Sequence, residues 1–160
     1  DFLLMATPSR SVELRFLAEP TDVNFGGKVH GGIVMKWIDQ AAYACAAGYS
    51  GKYCVTVSVG AIRFVRPVLV GNMVSVEAKV VHTGRSSMHI YVSVKATDPK
   101  VNEPIETNHC IITFIAVDAD GDKVLVESFE PKTKLDKKLQ EYAINMMNLS
   151  IDAENKLKAG

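Results

Sequence analysis

A chain of 160 residues, 48% of them hydrophobic and 22% charged, has the make-up of one globular domain with a real core. Its formal net charge is zero, which argues against a protein built to hold nucleic acid or an anionic membrane. No apolar run approaches the roughly 18 residues of a membrane span, and the opening DFLLM is too short, and lacks the basic start, for a signal segment. Cys45, Cys54 and Cys110 are odd in number and follow no metal-ligand spacing, so they read as reduced thiols of a cytoplasmic protein.

The first element in chain order is a strand over 11–19, SVELRFLAE, where Val12, Leu14, Phe16 and Ala18 alternate with mostly polar neighbours. A loop rich in Pro, Asn and Gly follows to about Gly32. A helix is predicted from Gly31 to Gly48. Its apolar residues Ile33, Val34, Trp37, Ile38, Ala41, Ala42, Cys45 and Ala46 form a wide stripe at helical spacing. Inside that run sits one acid, Asp39, which reads as a carboxylate buried in the helix and therefore in need of a partner or a use.

After Lys52 the period changes to two. Four strands are predicted, within YCVTVSVGAIRFV, VGNMVSVEAKVVHTG, SSMHIYVSVKATD and IETNHCIITFIAVDADGD, separated by turn signals. Short polar links between successive strands make antiparallel pairing the natural arrangement. A helix that is apolar on most of its circumference must be wrapped, and an antiparallel sheet around one long central helix satisfies both elements. The expected fold class is therefore α+β with the hotdog architecture over 11–130, preceded by a tail over 1–10. A C-terminal helix follows over 131–150, with a stripe of Leu135, Leu139, Tyr142, Met146 and Leu149 that packs on its own domain or serves a larger oligomer. Residues 151–160 are expected to be disordered.

Several motifs now stand in order on these elements: Asn24, then Gly26-Gly27 and His30-Gly31-Gly32, then Asp39 within MKWIDQAA, then RFVRPVLVGN, HTGRSSM and FIAVDADG. In this order the chain resembles the hotdog-fold acyl-CoA thioesterases, in particular the YciA-like and cytosolic or brain-type acyl-CoA hydrolase group, over about residues 12–130. The resemblance implies hydrolysis of an acyl-CoA to a free fatty acid and CoA.

Thioester hydrolysis needs a polarised carbonyl and an aimed, deprotonated water. Gly31 and Gly32 open the helix, where backbone amides are unpaired and the dipole is positive, so they can form an oxyanion hole or merely allow a tight junction. Asp39 is the candidate general base, with a nucleophilic role or a simple pairing with Lys36 as the other readings. The resemblance assigns Asn24 to hold the water or the carbonyl; spacing alone makes it a turn residue. His30 is expected to shape the loop or cap the helix rather than to catalyse. Arg63, Arg66 and Arg85, with Ser86 and Ser87 in the Gly-Arg-Ser-Ser turn, are candidates for the CoA phosphates. The acyl chain is expected between helix and sheet. No metal ligand set is visible, and no cofactor is required beyond the CoA of the substrate itself.

From Gly31 to Asp39 is about 12 Å along a helix at ~1.5 Å per residue, too far for the acid to serve the start of its own helix. The usual hotdog dimer lays two such helices antiparallel. The expected site is accordingly shared, with Asn24, Gly31 and Gly32 from one chain and Asp39 from the other, in a homo-oligomer that the related enzymes suggest is a hexamer. A site that takes the ADP part of CoA also suits a purine nucleotide effector. The competing readings are a hotdog hydratase or dehydratase and a non-catalytic acyl-CoA sensor.

Overall fold

The computed structural model describes residues 9–60 and 62–160. Five strands form one antiparallel sheet: β1 (Ser11–Leu17), β2 (Tyr53–Val59), β3 (Met73–Thr83), β4 (Ser87–Thr97) and β5 (Ile105–Val117), in the order β1-β3-β4-β5-β2. Consecutive strands β3, β4 and β5 pair as neighbours, whereas β1 and β2 become the two edges because the long helix α1 (Gly31–Ser50) separates them in sequence. A 26-residue helix, α2 (Lys134–Ala159), closes the chain. This is the hotdog fold. No helix among the described residues is long and apolar enough to cross a membrane.

One face of the sheet packs on α1, which touches all five strands. Ile38, Ala41, Ala42, Cys45 and Ala46 of α1 are wholly buried against Val74, Val76, Ile90, Val92, Ile112 and Phe114. The helix ends where Gly51 takes a left-handed conformation (φ 66°) that an L side chain disfavours, and its amide closes on the Ala47 carbonyl. Among the described residues, only one side of α1 is covered. Lys36, Asp39, Gln40 and Tyr43, at helical spacing, lie on the exposed side. The expectation that Asp39 is buried is thus corrected: its apolar sequence neighbours are directed inward by the turn of the helix and the acid is directed out.

The strand predicted over 53–65 ends at Val59. A register shift between Thr56 and Ser58 disturbs the pairing with β5, and Gly60 then lies so close to β5 that a Cβ there would meet the Ile111 carbonyl oxygen at 3.1 Å. Residues 62–72 run on irregularly, tied to β5 by amides of Val65 and Arg66 that donate to the Thr107 carbonyl.

The opposite face of the sheet carries α2. Ala143 is buried there on Val81 and Ile111, flanked by Leu139, Tyr142 and Tyr91. Thr133 caps the helix by accepting from the Asp136 amide, and the Asp136 carboxylate pairs with Arg10 at 2.7 Å. Arg10 also donates to the Val80 carbonyl and lies 4.6 Å from the Phe129 ring centre, so one side chain joins the start of β1, the segment after β5 and α2. Two expectations are corrected here. Leu135 and Leu149 are exposed in the single chain, so the heptad stripe does not pack as a whole on its own domain; the docked line is Asp136, Leu139, Ala143. Residues 151–159 are helical, continuing α2 as far as Ala159.

On this second face His89 is 5% exposed, its Nδ1 lies 3.0 Å from the Thr113 hydroxyl, and its ring centre lies 5.2 Å from that of His82. Burial, with His82 adding to it, pushes the His89 imidazole down from 6.5 to about 4. Burial also lowers His82. The unfolded chain takes up these protons near the ordinary value and the folded one resists them, so the stability held above 6.5 is lost as pH falls toward 4. His89→Gln keeps a polar partner for Thr113 and cannot titrate. It is expected to flatten the fall in urea midpoint between about pH 7 and about pH 5; the same fall in variant and parent would remove His89 as its source.

Candidate functional site

The loop before α1 is a small hairpin. Val23 pairs with Val29, and Lys28 bridges to Leu69. Gly27 at the turn has φ 75°, the left-handed region that suits glycine. Asn24 organises this hairpin: its amide donates to the Lys28 carbonyl, and its side-chain oxygen accepts from the amides of Gly26 at 2.9 Å and Lys28 at 3.3 Å. Its carboxamide oxygen is therefore committed to the turn, and the group left available is the NH2, a donor. The turn role and a role toward a ligand coexist in one side chain.

His30 occupies the cap position of α1, with its amide on the Asp22 carbonyl and its own carbonyl accepting from Ile33 and Val34. Its side chain makes no capping hydrogen bond, so it shapes the junction through its backbone alone. The amides of Gly31 and Gly32 donate to no protein acceptor among the described residues. Both residues are exposed. Two free N–H groups thus stand at the positive end of a 20-residue helix.

A cavity of about 410 Å³ opens at this point, lined among others by Asn24, Gly31, Val34, Phe64, Arg66 and Thr107. The structure brings together Asn24, Gly31 and Arg66 of the residues singled out from the sequence. Phe64, which stands in the RFVRPVLVGN motif near the end of the strand expected over 53–65, joins the lining without a role that its sequence position assigns, and Thr107 carries no motif. The Phe64 ring lies 3.6 Å from where a Cβ on Gly31 would be. Thr107, 2% exposed, donates its hydroxyl to the Val94 carbonyl at 3.2 Å.

The structure does not bring Asp39, Arg63 or the Arg85 turn into this cavity. Asp39 is one face of α1 away, and Arg63 is exposed outside the lining. Arg85, Ser86 and Ser87 connect β3 to β4 at the other end of the sheet. There the Arg85 carbonyl accepts from Val126, the Ser86 carbonyl accepts from Ala116, and a Cβ on Gly84 would fall 2.5 Å from the Ser87 hydroxyl oxygen. The 11 residues of β3 separate that turn from the Asn24 loop by roughly 35 Å at ~3.3 Å per residue. Near the same far end Asp118, Asp120 and Asp122 bring their carboxylates within 4.8 Å of one another. They are exposed, and an Asp118 oxygen accepts from the amides of Asp120 and Asp122, as in an ordinary acidic turn. The three cysteines are free and buried, and burial pushes the thiols of Cys45 and Cys110 up to about 12, which leaves them unreactive.

The expectation of an acyl chain lying between helix and sheet meets a filled space. Beyond the first turn of α1, its inward residues from Trp37 to Tyr49 are at most 9% exposed. Any ligand that reaches the Gly31 and Gly32 amides does so from the side of the Phe64 to Pro67 segment or from the uncovered side of the helix.

Comparison with known proteins agrees with this architecture. The family model described as Thioesterase superfamily matches residues 26–103. The acyl-CoA thioester hydrolase YciA of Salmonella typhimurium is 32% identical over 118 residues, 72% of this chain and 89% of its own length. Among solved structures, an acyl-CoA hydrolase from Bacillus cereus is 29% identical with a TM-score of 0.86, covering 93% of this chain and 92% of that one. A hexameric thioesterase from Yersinia pestis is 30% identical with a TM-score of 0.68, covering 72% of this chain and 94% of that one. The chain belongs to the Thioesterase superfamily, with the hotdog-fold acyl-CoA thioester hydrolases as its relatives.

Proposed function

We propose that the chain hydrolyses acyl-CoA thioesters to a free fatty acid and CoA, at a site shared by two subunits. The observation that carries this reading is the pair of unengaged amides on Gly31 and Gly32 beside the free NH2 of Asn24. Asn24 and Gly31 line one cavity, with the Gly32 amide next along the helix start, and such a set of donors is what an oxyanion requires. The thioester carbonyl accepts from them. Asp39 of the partner takes a proton from water as the water oxygen attacks the carbonyl carbon. The tetrahedral oxyanion then collapses, the C–S bond breaks, and CoA leaves as a thiolate. Because the oxygen of Asn24 is held by the loop, this residue acts on the carbonyl as a donor and does not accept a proton from the water.

Three features support a shared site. Asp39 sits about 12 Å along α1 from Gly31 at ~1.5 Å per residue, on its uncovered side. That side borders β2, an edge strand whose Val55, Val57 and Val59 are 46%, 54% and 45% exposed, and an unpaired hydrophobic edge of this kind invites a second strand. Phe25, next to Asn24, is fully exposed. A two-fold axis beside β2 covers these groups and sets two α1 helices antiparallel, so each Asp39 approaches the other chain's helix start. The same operation brings the Arg85 turn of the partner, which lies beyond the far end of α1, toward this site. Arg85, Ser86 and Ser87 accordingly serve the CoA phosphates in trans; Arg66 lines the carbonyl's own cavity and stands nearer the thioester than the phosphates, and Arg63 lies outside that lining. The hexameric relative favours assembly of three such dimers. Three unpaired buried cysteines suit a reducing cytoplasm. A phosphate site for the ADP part of CoA also admits a free purine nucleotide as effector.

Asn24→Ala and Asp39→Ala are each expected to lower kcat by about two orders of magnitude or more in a thiol-release assay. When the two inactive proteins are mixed and exchange subunits, each mixed dimer regains one intact site, and activity returns toward half the parental value per dimer. Activity that stays at zero after mass spectrometry confirms exchange would exclude a shared site. Arg85→Ala is expected to raise KM for acyl-CoA and to leave a small thioester without the nucleotide unaffected; equal losses on both would remove its phosphate role.

A further inference from the structure

We infer that the acyl chain of the substrate occupies an apolar trough that continues from the Asn24 cavity, past Thr107, toward Leu69, Val101 and Ile105. This rests on the thioesterase reading above and adds where specificity for chain length resides. A second cavity, of about 340 Å³, shares Arg66, Pro67 and Thr107 with the first. The two cavities therefore adjoin one another along Arg66, Pro67 and Thr107. The second half is walled by Pro67, Leu69, Ala96, Val101 and Ile105. Leu69, Val101 and Ile105 are 44%, 59% and 46% exposed, and they wall one cavity together.

Charge selects the occupant. An acyl-CoA has two arms on either side of its carbonyl: an acyl chain that ends in a methyl group, and a pantetheine arm that ends in phosphates. Arg66 lines both cavities and so stands where they adjoin, whereas Asp98 and Glu103 line only the second, beyond it. A pantetheine arm running this way would deliver its pyrophosphate to two carboxylates, whereas an acyl chain brings no charge to them. The alternative route, between helix and sheet, is closed by the packing of Ile38, Ala41, Ala42, Cys45 and Ala46, all wholly buried. The loop that carries Val101 lies between β4 and β5 and packs nothing in the core, so it can be changed without loss of the fold.

Val101→Trp and, separately, Leu69→Trp should narrow the trough. The measurement is kcat/KM for a series of acyl-CoAs from acetyl to palmitoyl, with inhibition by free CoA determined in parallel and the melting temperature as control. For the longest chain that the parent turns over, the ratio of its kcat/KM to that of acetyl-CoA should fall by about tenfold or more, the discrimination that one or two methylenes carry in an apolar pocket. Inhibition by free CoA should stay as in the parent. A uniform fall across the series with weaker inhibition by CoA would place the pantetheine arm in the trough and overturn the inference. An unchanged profile in both folded variants would overturn it as well. Absence of thiol release from every acyl-CoA by the parent protein would instead refute the thioesterase reading, so the two failures are distinct.

Discussion

The chain covers α1 on one side only, and the arrangement of everything else follows from that. The sheet fills the inner side of the helix so completely that its inward residues from Trp37 to Tyr49 have almost no contact with solvent. The outer side, with Lys36, Asp39, Gln40 and Tyr43, is exposed among the described residues, and the Tyr43 ring at its border reaches Tyr53 and Phe114. The edge strand β2 runs beside that outer side with one row of backbone groups unpaired. An uncovered helix face and an uncovered strand edge on the same flank have one economical solution, a second copy related by a two-fold axis. The exposed acid and the exposed valines are then parts of a single feature: the flank is unfinished structurally where the proposed chemistry is also unfinished.

The start of α1 follows a related logic on a smaller scale. Ser, Thr, Asp or Asn at the cap would put a side-chain oxygen on the second or third amide of the helix, stabilising it by about 1 kcal/mol. His30 does not do this. Its carbonyl takes the amides of Ile33 and Val34, and the amides of Gly31 and Gly32 remain free. Glycine at both positions keeps side chains away from those amides, and the turn around Asn24 brings that residue into the cavity that Gly31 also lines. Local stability is forgone at the one place where a ligand oxygen could supply the missing acceptor. The Asn24 side chain holds the loop with its oxygen, and the same contacts fix the direction of its NH2, so the turn and the proposed catalytic role depend on one another.

The sequence was most legible where periodicity was long. The strands β3, β4 and β5 and the body of α1 follow from alternating or helical apolar spacing, and their antiparallel order follows from short links. The errors have physical causes. Asp39 looked buried because its neighbours in sequence are apolar, but adjacent residues on a helix point about 100° apart, and the face is set by the positions three and four away. Residues 60–65 continue the valine-rich pattern of β2, yet the close approach of Gly60 to the Ile111 carbonyl and the disturbed register end the ladder. Residues 151–159 lack an apolar stripe, which suggested disorder, but Ala, Glu, Lys and Leu are good helix formers and the capped, docked start of α2 has already supplied the costly nucleus. Of the cavity lining, Asn24, Gly31, Phe64 and Arg66 stand in the sequence motifs. Thr107 and the Val101 loop do not, since they meet the cavities only through folding.

The two ends of the sheet differ in a way that matches the proposed substrate. The end beside the start of α1 holds the carbonyl donors and an apolar trough whose lining includes two carboxylates. The other end holds the exposed Arg85 turn. In a single chain these are roughly 35 Å apart by the length of β3, too far to act on one carbonyl and its near neighbours. In the proposed dimer, a two-fold axis that sets the α1 helices antiparallel places unlike ends side by side, so that each site would draw its apolar trough from one chain and the Arg85 turn from the other. An acyl-CoA has the same polarity about its thioester, aliphatic on one side and anionic on the other. On this reading the dimer is what converts two separate half-surfaces into a complement for the whole molecule, and the thioester carbonyl falls at the seam between them.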